Sequence, residues 1–374
     1  PRFLCLVVMS DGHKRAVKYQ YSITKEQDRA GTMAATALLY EGSLEAHLLL
    51  FTLKENNVTM VMAQDFSGLL NLDTLDLSKN SLNDESFGSN SLSSLTLLKK
   101  LDLDSNRLSG VPALSPSVEV LKMNDNKIGT LSPHCFTGIN LNLFKRAQGR
   151  SLEALDLSSN QFTSVPTNLP RRLRKLTLRH NDILHVPAFS FRHLRPGLQS
   201  LQLSHNHLSD GSAGRASFVG TYRSMSELLL DNNRLEEVPP FIRQFKSLKM
   251  LRLDNNRIRA VRRWGICHPR NSGSMLAAVH LENNRLQVDR IPADTFSCLI
   301  DAQGLGQSTK KDFTVSWMRT NTSTGESVPI VTKLPFSYGL DVHPNTTVHT
   351  SLQMADGLTE MKDGSKADNA GSHV

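Results

Sequence analysis

LRKLTLRHNDI (residues 173–183) and LQSLQLSHNHL (residues 198–208) share one spacing of leucines, and each ends shortly after an asparagine. The pattern L-x-x-L-x-L-x-x-N-x-L, with conservative apolar exchanges, occurs ten times between residues 48 and 286. Its asparagines are Asn56, Asn80, Asn106, Asn126, Asn160, Asn181, Asn206, Asn233, Asn256 and Asn284. Most successive asparagines are separated by 20 to 28 residues, a period that predicts a solenoid of stacked repeats.

The alternation within each copy predicts the local structure. Leucines at every second position form a short strand that points them inward, and parallel stacking of such strands gives one curved sheet. Each asparagine follows its strand, where its amide can satisfy buried backbone groups of adjacent turns. Val-Pro pairs at 111–112, 165–166, 186–187 and 238–239 favour extended connectors over helices. We therefore predict an α/β leucine-rich-repeat horseshoe with a parallel concave sheet and little helix on its convex side.

The repeats also predict the domain organisation. Residues 1–47 show no repeat and are expected to form an irregular segment or partial cap, whereas residues 48–300 form the repeat domain. The 34-residue gap between Asn126 and Asn160 indicates an insertion near 139–150. Residues 301–374 are off the pattern, with possible strands in 314–340 and expected disorder toward the end.

Charge and composition narrow the class of partner. The net charge of +8 and pI near 9.4 suit an anionic partner such as nucleic acid, an anionic membrane or a sulfated glycan. No apolar run approaches the ~18 residues of a membrane-spanning helix, so we expect no span. The sequence begins at Pro1 and PRFLCLVVMS lacks a convincing cleavage site, so no signal peptide is seen and we expect the N-terminus to be incomplete.

Catalytic and cofactor motifs are not found in the sequence. It contains no nucleophile elbow, metal-ligand spacing or phosphate-cradling glycine motif, so we expect neither an enzyme nor a cofactor. His180 and His205 occupy equivalent positions in adjacent repeats, but two imidazoles do not make a zinc site. Aromatic residues amount to 6% and do not interleave with the basic ones, so nucleic acid is not an expected partner.

The stretch PRRLRKLTLRHN (170–181) is the candidate site for a sulfated glycan. Its fixed cations are Arg171, Arg172, Arg174, Lys175 and Arg179. In the repeat frame Lys175 and Arg179 stand on the concave face, while Arg171 and Arg172 lie at the turn before the strand. The alternative is an ordinary scaffold strand whose basic side chains are solvated. We predict a small positive island that binds heparan-sulfate-type glycosaminoglycan.

The concave face carries bands of charge on either side of this island. The candidate partner-binding residues are Asp76, Asp102, Asp104, Asp156, Asp231, Arg252, Asp254 and Glu282. One interpretation is a solvated polar face. The other is a charge-banded cradle for an extended, charged partner such as collagen.

Cysteines and sequons suggest an extracellular protein. Cys267 and Cys298 bracket the tenth repeat, where a bridge would clamp the open end of the solenoid; the alternative is two buried thiols. Cys5 and Cys135 show no evident pairing. Asn57, Asn321 and Asn345 lie in N-glycosylation sequons, which mildly support secretion.

The repeat copies, the short VPTNLPRRLRKL-type repeat and the terminal cysteines together resemble the small leucine-rich proteoglycans over about residues 48–300. The resemblance implies an ear-type C-terminal cap bridged by Cys267 and Cys298, secretion, residence in the extracellular matrix, and binding to collagen, glycosaminoglycan or a cell-surface receptor. Two features depart from the family: the four-cysteine N-terminal cap is absent, and no RGD triplet occurs. We therefore expect a matrix protein that supports matrix assembly or cell adhesion. The alternative is a receptor-type ectodomain that recognises a protein ligand, which would require a membrane anchor.

Overall fold

The structure is a computed structural model. It describes residues 2–9, 16–22, 48–66, 69–88, 90–136, 152–267, 276–287, 291–292, 295, 313–320 and 327–334. The chain divides into two units, Pro1–Leu340 and Asp341–Val374, and every described residue belongs to the first. The insertion predicted near 139–150 lies outside the described residues.

One sheet of fourteen strands runs through these residues. The strands are β1 (Arg2–Met9), β2 (Ala16–Ser22), β3 (Leu48–Thr52), β4 (Thr74–Asp76), β5 (Lys100–Asp102), β6 (Val120–Lys122), β7 (Ala154–Asp156), β8 (Lys175–Thr177), β9 (Ser200–Gln202), β10 (Glu227–Leu229), β11 (Met250–Arg252), β12 (Ala278–Leu281), β13 (Phe313–Thr320) and β14 (Ser327–Leu334). From β3 to β13 the strands lie side by side in chain order, and every pair is parallel. The predicted parallel solenoid is confirmed.

A hairpin continues the sheet at each end. β1 pairs antiparallel with both β2 and β3, and β14 pairs antiparallel with β13. Both β13 and β14 overlap the stretch 314–340, where the sequence suggested strands. The sheet therefore extends beyond the repeats themselves, into the segments on either side of 48–300.

Burial of one apolar residue per strand holds the repeats together. The central residue of each strand from β4 to β11, such as Leu176 and Leu201, is 1% exposed or less. Full burial of a leucine side chain contributes about 1.5–3 kcal/mol. Because each repeat buries its leucines only against its neighbours, the core is one continuous stack.

The asparagines form the predicted ladder. Asn181 is typical: its Oδ1 accepts from the Phe162 N–H at 3.1 Å, and its Nδ2 donates to the Leu157 carbonyl at 3.0 Å. The same two contacts to the preceding repeat recur from Asn80 to Asn284. These contacts lock each strand exit in place and thereby fix the side chains of the concave face.

The convex side carries little helix, as predicted. The helices of the described residues are short 3-10 helices of three or four residues each: Ala63–Phe66, Asp84–Ser86, Arg215–Phe218 and Ile242–Gln244. No helix among these residues is long and apolar enough to cross a membrane.

Candidate partner-binding face

The concave face presents three rows of outward side chains, defined here by their place in the repeat. The first row consists of the first residue of each strand, the middle row of the residue two positions later, and the third row of the residue two positions after that. The middle row runs Asp76, Asp102, Lys122, Asp156, Thr177, Gln202, Leu229, Arg252 and His280. The third row runs Ser78, Asp104, Asn124, Ser158, Arg179, Ser204, Asp231, Asp254 and Glu282. All eight candidate concave-face residues predicted from the sequence therefore lie in these two rows.

The acidic band at β4 to β7 is partly neutralised by a lysine that the sequence reasoning did not single out. Lys122 lies between Asp102 and Asp156 in the middle row, and its Nζ is 2.9 Å from Asp102 Oδ2. Asp76 and Asp156 accept hydrogen bonds from the backbone N–H groups of the third-row serines at 2.9 and 3.0 Å. The same repeat frame applied to the weak copy VEVLKMNDNKI would have located Lys122.

Asp104 carries the strongest electrostatic conflict of this band. Its pKa is raised to about 6, first because burial disfavours the charged form and then because of the neighbouring Asp102. A hydrogen bond of 2.6 Å from the Asn124 N–H opposes the shift without cancelling it. Near pH 6 the charge of this band therefore depends on the pH.

Toward the C-terminal repeats, two of the candidate carboxylates serve the fold itself. Asp231 and Asp254 are each only 3% exposed. Asp254 accepts two hydrogen bonds from the Arg252 guanidinium, at 2.9 and 2.8 Å, and Asp231 accepts one from Ser204 Oγ at 2.6 Å. The Arg252 side chain thus covers the buried Asp254 carboxylate and pairs with it.

His280 and Glu282 make a second internal pair on the same face. His280 Nδ1 lies 3.0 Å from Glu282 Oε1. This hydrogen bond raises the pKa of His280, and burial opposes the shift. Glu282 Oε2 is buried and has no hydrogen-bond partner within the described residues.

Between these two bands lies a groove of about 490 Å³ that runs across β6 to β9. Its ionisable lining consists of Lys122, Asp156, Lys175, Arg179 and His180, so three fixed cations accompany a single carboxylate. Lys175 is exposed and Arg179 is half-buried. The Arg179 Nε is buried and makes no hydrogen bond within the described residues. An anionic oxygen in this groove would meet the fixed positive charges of Lys175 and the Arg179 guanidinium.

His180, which lines the groove, stacks on the equivalent histidine of the next repeat, His205. The rings of His180 and His205 have centroids 4.1 Å apart and are inclined by 14°. Burial lowers the pKa of His205, and the adjacent His180 lowers it further. No group of three metal-ligating side chains occurs in the described part of the chain.

The remaining basic residues of 170–181 separate from the groove. Arg171 and Arg172 are exposed at the turn that precedes β8. Arg174 is half-buried, and its Nε lies 3.6 Å from Glu153 Oε2. The five predicted cations therefore occupy two surfaces, the groove and the edge of the sheet.

The structure describes only some of the cysteines and N-glycosylation sequons. Cys267 is disulfide-bonded, whereas Cys135 is a free thiol whose pKa burial raises to about 11. Cys298 lies outside the described residues, so its pairing with Cys267 stays a prediction. Asn57 is exposed and accepts a hydrogen bond from Ser81 Oγ at 3.2 Å, while Asn321 and Asn345 lie outside the described residues.

Comparison with known proteins identifies repeats and relatives. Two leucine-rich-repeat family profiles match residues 151–171 and 171–217. Lumican of Mus musculus is 30% identical over 263 residues, which cover 66% of this chain and 76% of lumican. Lumican of Homo sapiens is 31% identical with the same coverage, and podocan of Mus musculus is 33% identical over 50% of this chain and 33% of podocan. The sequence also predicts a finer resemblance, of residues 191–242 followed by 281–298, to extracellular matrix protein 2, which these comparisons do not show.

A solved structure supports the fold. A chain of the Toll–Spatzle complex of Drosophila matches 66% of this chain with a TM-score of 0.50 and 23% identity. The match spans 34% of that longer chain. At this level of identity the likeness concerns the fold alone.

Proposed function

Because this chain belongs to the family of small leucine-rich proteoglycans, we propose that it is a secreted, non-enzymatic protein of the extracellular matrix. It binds heparin-type glycosaminoglycan and collagen through the concave face of its repeats and thereby supports matrix assembly or cell adhesion. Its lumican and podocan relatives support the matrix assignment.

The observation that carries the glycosaminoglycan part is the groove between the two acidic bands. Lys175 opens β8 there, and Arg179 follows four residues later with its Nε unsatisfied. A sulfate group offers several acceptor oxygens and a fixed negative charge. It would pair with Arg179 at a partly desolvated position, where charge-assisted hydrogen bonds are strong.

The collagen part rests on the alternation of charge across the face. Asp76 and Asp102 present carboxylates on one side of the groove and Asp156 lines it, while Arg252, paired with Asp254, lies on the other side. An extended partner that carries both signs of charge would meet both bands at once, which favours specificity over raw affinity.

Heparin affinity tests the glycosaminoglycan part. The double variant Lys175→Gln/Arg179→Gln should bind immobilised heparin about five- to thirtyfold more weakly than the wild type, since each lost charge contact is worth roughly 0.5–1 kcal/mol. The matched control is Arg107→Gln/Lys127→Gln, which removes two exposed cations of other repeats. Elution of the wild-type protein from heparin below physiological salt would contradict the proposal.

A further inference from the structure

The segments that precede β8, β9, β10 and β11 form one edge of the sheet, which we call the basic rim. It comprises residues 170–174, 192–199, 222–226 and 243–249. None of these segments contains Asp or Glu. Together they contain nine fixed cations: Arg171, Arg172, Arg174, Arg192, Arg195, Arg223, Arg243, Lys246 and Lys249.

Hydrogen bonds stack the four segments against each other. The Arg195 N–H donates to the Arg171 carbonyl at 2.8 Å, and the Ser226 N–H donates to the Gln199 carbonyl at 2.7 Å. The Lys246 N–H then donates to the Tyr222 carbonyl at 2.8 Å. Cations that are 20 or more residues apart in the sequence therefore become lateral neighbours on a fixed backbone.

The stacking is tight at Gly197. This glycine has a φ of +114°, and a Cβ at its position would lie 2.5 Å from Ser224 Oγ. Ser224 Oγ itself donates to the Leu198 carbonyl at 2.8 Å. The second and third segments thus approach too closely at this position to admit a side chain larger than that of glycine.

The charge of this edge of the sheet changes sign along the repeats, which sets where the basic rim begins. The residues just before β4, β6 and β7 are Asp73, Glu119 and Glu153, and Lys99 before β5 pairs with Asp73, so these positions carry a net negative charge in the preceding repeats. The Nε group of Arg243 is buried and makes no hydrogen bond within the described residues, whereas the Nε group of Arg174 at the other end of the rim lies 3.6 Å from Glu153 Oε2. The basic surface therefore begins at β8 and continues to β11.

We propose that the basic rim binds a linear sulfated glycosaminoglycan that runs across the strands, from the repeat of β8 to that of β11. Adjacent parallel strands lie about 4.8 Å apart, so three spacings bring all four segments within roughly 14 Å at the sheet. Adjacent segments are thus closer together than the Debye length of about 8 Å at physiological salt, so the cations of neighbouring segments act jointly on a polyanion.

A sulfated glycan fits this rim better than a nucleic acid does. Sequence-tolerant binding of single strands uses exposed aromatic rings on which bases stack. The aromatic residue nearest the centre of the rim, Tyr222, is half-buried and packs against Phe245 with ring centroids 5.1 Å apart. Its hydroxyl donates to the Arg215 carbonyl at 2.7 Å, so the ring is not presented to a base.

This inference rests on the proposed function, but it assigns the principal contact to a surface outside the groove. The test uses the full chain and the variant Arg171→Gln/Arg192→Gln/Arg223→Gln/Lys249→Gln, which removes one exposed cation from each segment. The control variant Arg107→Gln/Lys127→Gln/Arg234→Gln/Arg257→Gln changes the net charge equally at exposed sites that follow ladder asparagines. Heparin affinity is measured by titration over a range of salt concentrations, and thermal unfolding verifies that both variants fold.

The rim variant should bind heparin at least about tenfold more weakly than the control, and its plot of log affinity against log salt should be less steep by about 3–4. Equal affinity of the rim and control variants, with loss confined to Lys175→Gln/Arg179→Gln, would overturn the rim and leave the proposed function standing. Failure of the wild type to bind heparin would overturn both. Equally tight, rim-dependent binding of single-stranded DNA would overturn the choice of a glycan.

Discussion

Replacement of Asn181 by alanine tests the ladder that fixes the concave face. Asn181 is 6% exposed and makes four hydrogen bonds: it accepts from the Phe162 N–H and donates to the carbonyls of Leu157, Leu178 and Arg179. These bonds span two repeats. The substitution therefore removes a contact on which the alignment of the groove residues depends.

The expected loss of folding stability depends on which backbone groups are left without any hydrogen-bond partner. The Leu157 carbonyl still accepts from Asn160 Nδ2 at 3.2 Å, and the Leu178 carbonyl from Asn206 Nδ2 at 2.9 Å. The Phe162 N–H loses its acceptor. One buried, unsatisfied N–H costs about 1–3 kcal/mol, and the other lost bonds add roughly 1 kcal/mol in total. We expect Asn181→Ala to lower the free energy of unfolding by about 2–4 kcal/mol.

Asn56 provides the matched control, because it opens the ladder. Its Nδ2 donates to the carbonyls of Leu53 and Lys54 at 2.8 and 2.9 Å, and it is half-exposed. We expect Asn56→Ala to cost less than about 1 kcal/mol. Urea unfolding followed by circular dichroism gives both values, and hydrogen exchange should show faster exchange of the Phe162 amide in Asn181→Ala. Equal losses at the two positions would refute the ladder argument.

Three further predictions concern charge and the C-terminal end. Asp104→Asn keeps an acceptor for the Asn124 N–H but removes a carboxylate whose pKa is raised to about 6. A raised carboxylate pKa makes the folded state lose stability as pH rises from about 4 to about 6. The free energy of unfolding of the variant should therefore exceed that of the wild type by roughly 1–2 kcal/mol above pH 6, and by progressively less below it. A difference that does not vary with pH in urea unfolding would contradict this. Arg252→Ala should lower the free energy of unfolding by about 2 kcal/mol, since it leaves the buried Asp254 without its guanidinium, and a loss below about 0.5 kcal/mol, as for an exposed pair, would argue against that role. Peptide mapping of the secreted, unreduced protein should recover Cys267 linked to Cys298, and alkylation of both thiols without reduction would disprove the bridge.

The sequence predicted what depends on periodicity. Leucines at every second position and an asparagine after each strand are local patterns, and the structure confirms the parallel sheet and the contacts of Asn181. The same frame predicted Asp76 and Arg252 in equivalent positions of their repeats, and both lie at the end of their strands in the aligned register. These features follow from the repeat alone, because each repeat contacts only its neighbours.

The sequence did not reveal features that depend on lateral packing. The pattern places Asp231 and Asp254 in an outward row, but adjacent side chains cover both and leave them 3% exposed. Lys122 was missed because its copy of the repeat is weak. The basic rim was missed because its segments are separated in the sequence, and their charges add only when the repeats stack.

Lysine footprinting of the full chain with and without heparin most directly tests the central claim that this matrix-family protein binds a sulfated glycan at the groove and the basic rim. Lys175 in the groove and Lys249 on the rim should be protected from amine labelling by bound heparin. Lys54 and Lys127 are exposed in other parts of the repeat domain and should label at the same rate with and without it. Protection of Lys54 and Lys127 equal to that of Lys175 and Lys249, or no protection at any of the four, would contradict the claim.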